Sequence, residues 1–126
     1  MLSEARLAQV AVTVRELPRA VAFYRDVLGI RHLFDAGPAM SFFDVGGIRL
    51  LLGVAEGGEG ERRSSILYLQ VGDIDRTHAD LLERGVRFRG KPHFVAPLGD
   101  NDLWMAFFED TEGNVLAITS EKRRPS

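Results

Sequence analysis

The strings MSFFD (40–44) and MAFFE (105–109) are almost the same five residues written twice. With Met40 set on Met105 and one residue of slip, Gly47 meets Gly113, Leu50 meets Leu116 and Leu51 meets Ala117. With Gln9 set on Ile66, Val10, Val12, Val14 and Leu17 meet Leu67, Leu69, Val71 and Ile74. Chance would not keep element order, turn glycines and aromatic pairs in step. The chain therefore reads as one structural unit written twice, which limits it to folds built from two alike halves.

The unit itself is legible from periodicity. Leu7 to Val14 alternates and is β-branched, a strand with Val10, Val12 and Val14 on one face and Gln9, Ala11 and Thr13 on the other. Leu17, Ala20, Val21, Tyr24 and Leu28 then recur at helical spacing, with Pro18 in the first turn and Gly29 as the stop. Strands are expected at Arg31–Asp35, Met40–Val45 and Ile48–Gly53, the last two joined by a Gly46-Gly47 turn. The second half repeats the order. Ser65–Val71 is a strand, and Asp73 caps a helix carrying Ile74, His78, Leu81 and Leu82 that ends at Gly85. Strands are expected at Val86–Arg89, His93–Ala96, Leu103–Glu109 and Asn114–Thr119. The architecture is α+β, two tandem βαβββ modules in a single domain of 126 residues: about 7–54, a Gly-rich charged linker at 55–63, then about 64–120. The polar tail 121–126 is expected to fray.

Composition removes several functions. No cysteine is present, so no disulfide scaffold, thiolate metal site or cysteine nucleophile is available. A net charge of −2 gives no basic excess for phosphate contacts, so no nucleic-acid partner is expected. No apolar run is long enough to span a bilayer, and the start lacks a basic n-region with an apolar stretch behind it. The expectation is a cytoplasmic protein with no membrane partner.

Three strings, VAVTVRELPRAVAFYRDVLGI (10–30), VGDIDRTHADLLERGV (71–86) and FFEDTEGNVLAITS (107–120), resemble the vicinal oxygen chelate superfamily. That group includes glyoxalase I, bleomycin-resistance proteins and extradiol dioxygenases. The resemblance runs from about Leu7 to Ser120. It implies curled mixed sheets around a shared cavity, and homodimers. In metal-dependent members four ligands, mostly His and Glu, come from the first and last strand of each module. The matching positions here are Gln9, Leu51, Ile66 and Ala117. Three of these lack a donor atom, and a slip of one residue restores no His or Glu. No cofactor is expected, and a divalent metal is not expected either.

Candidate ligand-binding residues follow from the face opposite the valines. Gln9 and Thr13 lie on it in the first module, Tyr68 and Gln70 in the second. Arg49, two residues from Leu51, and Thr119, two from Ala117, fall on the last strands. His93 and Trp104 are candidates to close the mouth of the site. His32 and His78 read as surface and structural residues. One Phe of each pair, 42–43 and 107–108, should pack on a helix while the other turns away, and the sequence leaves open which. The Asp100–Asp102 run reads as a turn. No catalytic residue is identified. The expected function is binding of a small, largely apolar organic ligand without the superfamily metal. The alternative is an enzyme, a lyase, isomerase or dioxygenase of glyoxalase type, with a non-standard metal site or metal-free acid–base chemistry at His93 or Tyr68.

Overall fold

The computed structural model describes residues 2–54 and 65–125. The chain divides into two compact units, Met1–Ser64 and Ser65–Ser126. The expected linker at 55–63 lies outside the described residues.

In the first unit a short 3-10 turn at Leu2–Glu4 precedes β1 (Gln9–Val14), α1 (Leu17–Ala22), β2 (Arg31–Ala36), β3 (Met40–Val45) and β4 (Ile48–Val54). The strand order is β1-β4-β3-β2. β1 runs parallel to β4, and the other pairs are antiparallel. The second unit has β5 (Leu67–Gln70), α2 (Ile74–Glu83), β6 (His93–Leu98), β7 (Asn101–Glu109) and β8 (Val115–Arg123), in the order β5-β8-β7-β6. Its pairings have the same directions.

The repeat holds in the two inner ladders of each sheet, those made by β4 and by β8. Phe43 opposes Leu50 as Phe108 opposes Leu116, and Phe42 opposes Leu51 as Phe107 opposes Ala117. Val10 sits beside Leu50 as Leu67 sits beside Leu116. The one-residue slip has a physical origin in the hairpins. In the first, Gly46 and Gly47 both take positive φ, 59° and 94°, as a tight two-residue turn of matching twist requires. In the second, residues 110–114 form a longer loop gathered on Asp110, which is only 2% exposed. Its carboxylate accepts from the Glu112 N–H (2.8 Å), the Asn114 N–H (2.9 Å) and the Asn114 side-chain amide (2.9 Å).

Each unit has its own core between sheet and helix. Val12, Val14, Leu50, Leu52 and Phe43 meet Leu17, Ala20 and Tyr24 in the first. Ala106, Phe108, Leu116 and Ile118 meet Ile74, Leu81 and Val86 in the second. The valine face is thus the buried one, as alternation predicts. Asp73 caps α2 by accepting from the Arg76 N–H at 3.1 Å.

Several expectations are corrected. Residues 86–89 make no strand; Phe88 forms one isolated bridge to Phe108 and packs its ring against His78 and Phe108. Leu82 is exposed rather than part of the buried stripe. The tail does not fray at Ser120. β8 continues to Arg123, because Lys122 reaches Asp75 (2.7 Å) and Arg124 reaches Asp102 (2.9 Å) and the Gly99 carbonyl (2.6 Å). Asn101 and Asp102, expected in a turn, begin β7 opposite Arg123 and Lys122. The first helix changes character partway. After Ala22 it continues as a π-helical turn, Phe23–Val27, with the Leu28 N–H donating to the Phe23 carbonyl at 2.9 Å.

Candidate functional site

Antiparallel register assigns every side chain to a face, since directly opposed residues point the same way. In the second module Tyr68, Ala117 and Phe107 form one row on the face away from α2. Gln70, Thr119, Met105 and His93 form the next. The Tyr68 ring stands edge-on to Phe107 at 6.2 Å, and the His93 ring lies nearly parallel to Phe107 at 6.2 Å. Ala117, fully buried, is the small residue between Tyr68 and Phe107 in the ladder. Phe107 therefore forms an aromatic floor with Tyr68 and His93 on either side.

Near Phe107 the polar side chains of this face include Thr119, His93 and Gln70, and Glu121, Asn101 and Arg123 follow along the same ladders. The Oγ1 of Thr119 is buried and, among the described residues, has no hydrogen-bond partner. Such orphans are uncommon, because an unmet buried hydroxyl is unfavourable. His93 Nδ1 lies 3.2 Å from the Lys91 carbonyl oxygen. A carbonyl can only accept, so Nδ1 carries the proton, and in the neutral ring Nε2 presents a lone pair.

In the first module the corresponding face carries Gln9, Ala11 and Thr13 from β1, Arg49 and Leu51 from β4, and Met40 and Phe42 from β3. Phe34 of β2 stacks on Phe42 with ring centres 4.9 Å apart. The Arg49 guanidinium lies over Phe42, 5.8 Å from the ring centre, an arrangement favourable to a cation. Gln9 and Arg49 are adjacent in register, and both are exposed.

Gln9, Thr13 and Arg49 share one face of the first sheet, and Tyr68, Gln70, His93 and Thr119 share one face of the second. Trp104 lies on the other face of that second sheet. It opposes Ser120 and alternates with Ala106 and Phe108, so it belongs to the α2 side of its sheet. Lys122 sits over its ring at 4.1 Å while reaching Asp75 of α2. Trp104 is a helix-side packing residue and cannot close a site on the opposite face. Register also settles the Phe pairs: Phe43 and Phe108 enter the cores, and Phe42 and Phe107 turn away. Phe34 was hidden from sequence reasoning by a β-bulge between His32 and Phe34, which resets the alternation of β2.

A model of the Glyoxalase/Bleomycin resistance protein/Dioxygenase superfamily matches residues 6–118. The chain belongs to this superfamily. The uncharacterized protein YraH of Bacillus subtilis (strain 168) is 30% identical, over 90% of this chain and 96% of its own length. A superfamily member from Sphaerobacter thermophilus DSM 20745 is similar in structure, with a TM-score of 0.77 at 25% identity, covering 93% of this chain and 98% of that one. Lactoylglutathione lyase from Agrobacterium tumefaciens has the same fold, with a TM-score of 0.71 at 18% identity over 94% of this chain and 95% of its own.

At the positions that the resemblance matches to the superfamily's metal ligands stand Gln9, Leu51, Ile66 and Ala117. The equivalence of Leu51 with Ala117 follows from their opposition to Phe42 and Phe107. Both are hydrocarbon side chains, as is Ile66, which precedes the first paired residue of β5. Gln9 alone offers a neutral oxygen, and such a site needs several donors. Among the described residues no three His, Cys, Asp or Glu side chains gather as a metal site would require.

Proposed function

We propose that this chain binds a small, largely apolar organic molecule against the helix-free sheet faces, without the metal of its metal-dependent relatives. The observation that carries the reading is the second-module face. An aromatic floor is bordered by Tyr68 and His93, with one orphan hydroxyl at Thr119. Ligand sites are mostly apolar surfaces with a few placed polar groups, and this face has that composition. The ligand would be a flat ring system bearing a hydroxyl or carbonyl. Its ring lies on Phe107 and its donor meets His93 Nε2, while Thr119 lies beneath them in the same ladder. Gln70 offers a second handle. On the first module Arg49 suits a ligand carboxylate. Gln9 and Thr13 flank that position.

An alkyl group at three of the four ligand positions neither polarises a carbonyl nor activates water, which favours binding over hydrolysis or metal-assisted isomerisation. The test is a screen of substituted phenols and naphthols by amide chemical-shift mapping on wild type, Tyr68→Ala, Phe107→Ala and Thr119→Val. Saturable shifts centred on β5, β7 and β8, weakened in all three variants, are expected. Hits that bind wild type and variants equally would sink the reading. Turnover of a hit on standing with the protein would favour the enzymatic alternative.

A further inference from the structure

The first module carries a cleft on its helix side, away from the sheet face just described. It measures about 480 Å³ and lies between α1 with its π-helical turn and the β2–β3 connection. Leu17, Pro18, Val21 and Pro38 supply an apolar wall, and Arg25 and Asp35 supply opposite charges. The geometry points to a binding site here for a small zwitterion with an apolar body, an amino acid of the leucine or phenylalanine kind.

The charges are presented rather than spent on each other. Asp26 engages Nε and Nη2 of Arg25 at 2.8 and 2.9 Å. Among the described residues, Nη1 is left for a ligand carboxylate. Asp35 is steadied from the other side, its Oδ1 accepting from His32 Nε2 at 2.9 Å. A hydrogen bond from Ser41 comes first, and that from His32 second, among the causes that hold its carboxyl below the ordinary value. Asp35 is thus kept ionised and can accept from an ammonium group. Neighbouring opposite charges with an apolar wall beside them complement a molecule that carries both charges at one end and a hydrocarbon at the other.

A π-helical turn borders the cleft: Arg25 follows Leu17 and Val21 at four-residue steps and stands in the turn Phe23–Val27. Tyr24 remains fully buried against Phe43 while Arg25 lines the cleft. Such turns are rare and occur often at functional sites. The second-module helix, Ile74–Glu83, is α-helical throughout and has no such turn.

The test needs no variant to begin with. L-Phenylalanine is titrated into the ¹⁵N-labelled full chain, alongside L-phenylalaninamide, N-acetyl-L-phenylalanine and glycine. Saturable shifts at Val21, Arg25 and Gly37 are expected with L-phenylalanine. Loss of the carboxylate, of the ammonium or of the apolar body should each weaken binding by roughly tenfold or more. Arg25→Gln and Asp35→Asn should each reproduce the matching analogue's loss with an otherwise unchanged amide spectrum. The proposal is overturned if L-phenylalanine gives no saturable shift at these residues. It is also overturned if the amide and the acetyl derivative bind as well as the parent, or if the shifts lie on Tyr68, Phe107 and Thr119.

Discussion

Removing the carboxylate of Asp110 should destabilise the second module far more than its place in a hairpin loop suggests. At least three donors converge on it, among them two backbone N–H groups at 2.8 and 2.9 Å and the Asn114 amide at 2.9 Å. Bonds to a charged acceptor contribute about 1.5–3 kcal/mol each, and an abandoned donor loses its partner unless water replaces it. Glu112 and Asn114 are half-buried, so water recovers part of the loss. Asp110→Ala should therefore cost about 3 kcal/mol, less than the roughly 4.5 kcal/mol that three such bonds sum to at their weakest, because water replaces part of them and neighbouring bonds do not add. Asp110→Asn keeps an acceptor for the backbone but sets one amide against another at Asn114, and should cost about half as much. Trp104 is the single tryptophan and lies in β7, so its fluorescence reports this module. At a urea slope of about 2 kcal/mol/M, the alanine variant's midpoint should fall by roughly 1.5 M. A shift below about 0.3 M with an unchanged slope would show that the β7–β8 ladder alone holds the loop, and that the bonds at Asp110 are replaceable by water.

Phe108→Ala should cost about 3–5 kcal/mol, as expected for a fully buried ring. Phe107→Ala should cost less than half of that while weakening the aromatic ligands proposed above; equal losses in urea titrations would contradict the assignment of faces. Near-stoichiometric zinc, nickel, manganese or iron in the purified protein, lost on Gln9→Ala, would refute the proposed absence of the superfamily metal. The protein is expected to be a homodimer by light scattering at micromolar concentration, since C2 pairs are the commonest assembly and each sheet is open, ending in two edge strands; a monomer mass would reject this. Asp35 should titrate below 3.8, so the stability it contributes is complete above that pH and is lost as pH falls through its lower folded value. Ser41→Ala should bring its titration, followed by carboxyl NMR, back towards 3.8; no change would remove Ser41 as the cause.

Much of this architecture is written locally. The valine alternation, the Asp73 cap and the paired glycines at 46–47 each act within a few residues, and each specifies its own element. What failed to show depends on partners distant in sequence. Val86 to Arg89 has strand-like alternation, yet Val86 is buried in the helix-side core and Phe88 packs on His78 and Phe108, leaving one bridge instead of a ladder. The tail at 121–124 is polar and looks unanchored until Asp75 and Asp102 come within reach. Trp104 reads as a residue at the mouth of the site yet stands on the helix side, because two adjacent phenylalanines obscure the phase of β7, which only the opposing Ser120 and Ile118 fix. The π-helical turn leaves no mark on the spacing of Leu17, Ala20, Val21, Tyr24 and Leu28, which is regular across the turn itself.

The two hairpins close equivalent ladders with loops of different length, one on two glycines and one on the five residues 110–114. The second module is in effect a natural insertion experiment on the first. The Phe43–Leu50 rung persists as Phe108–Leu116 whatever connects the strands beyond it. Each doubling of a flexible connection costs only about 0.6 kcal/mol in closure entropy. The tip at Gly46-Gly47 is exposed, and nothing lies within 4 Å of either α-carbon's vacant position. It is thus a natural attachment point for an epitope or fluorophore-bearing peptide, whereas the Asp110 loop, whose bonds hold its own shape, is not.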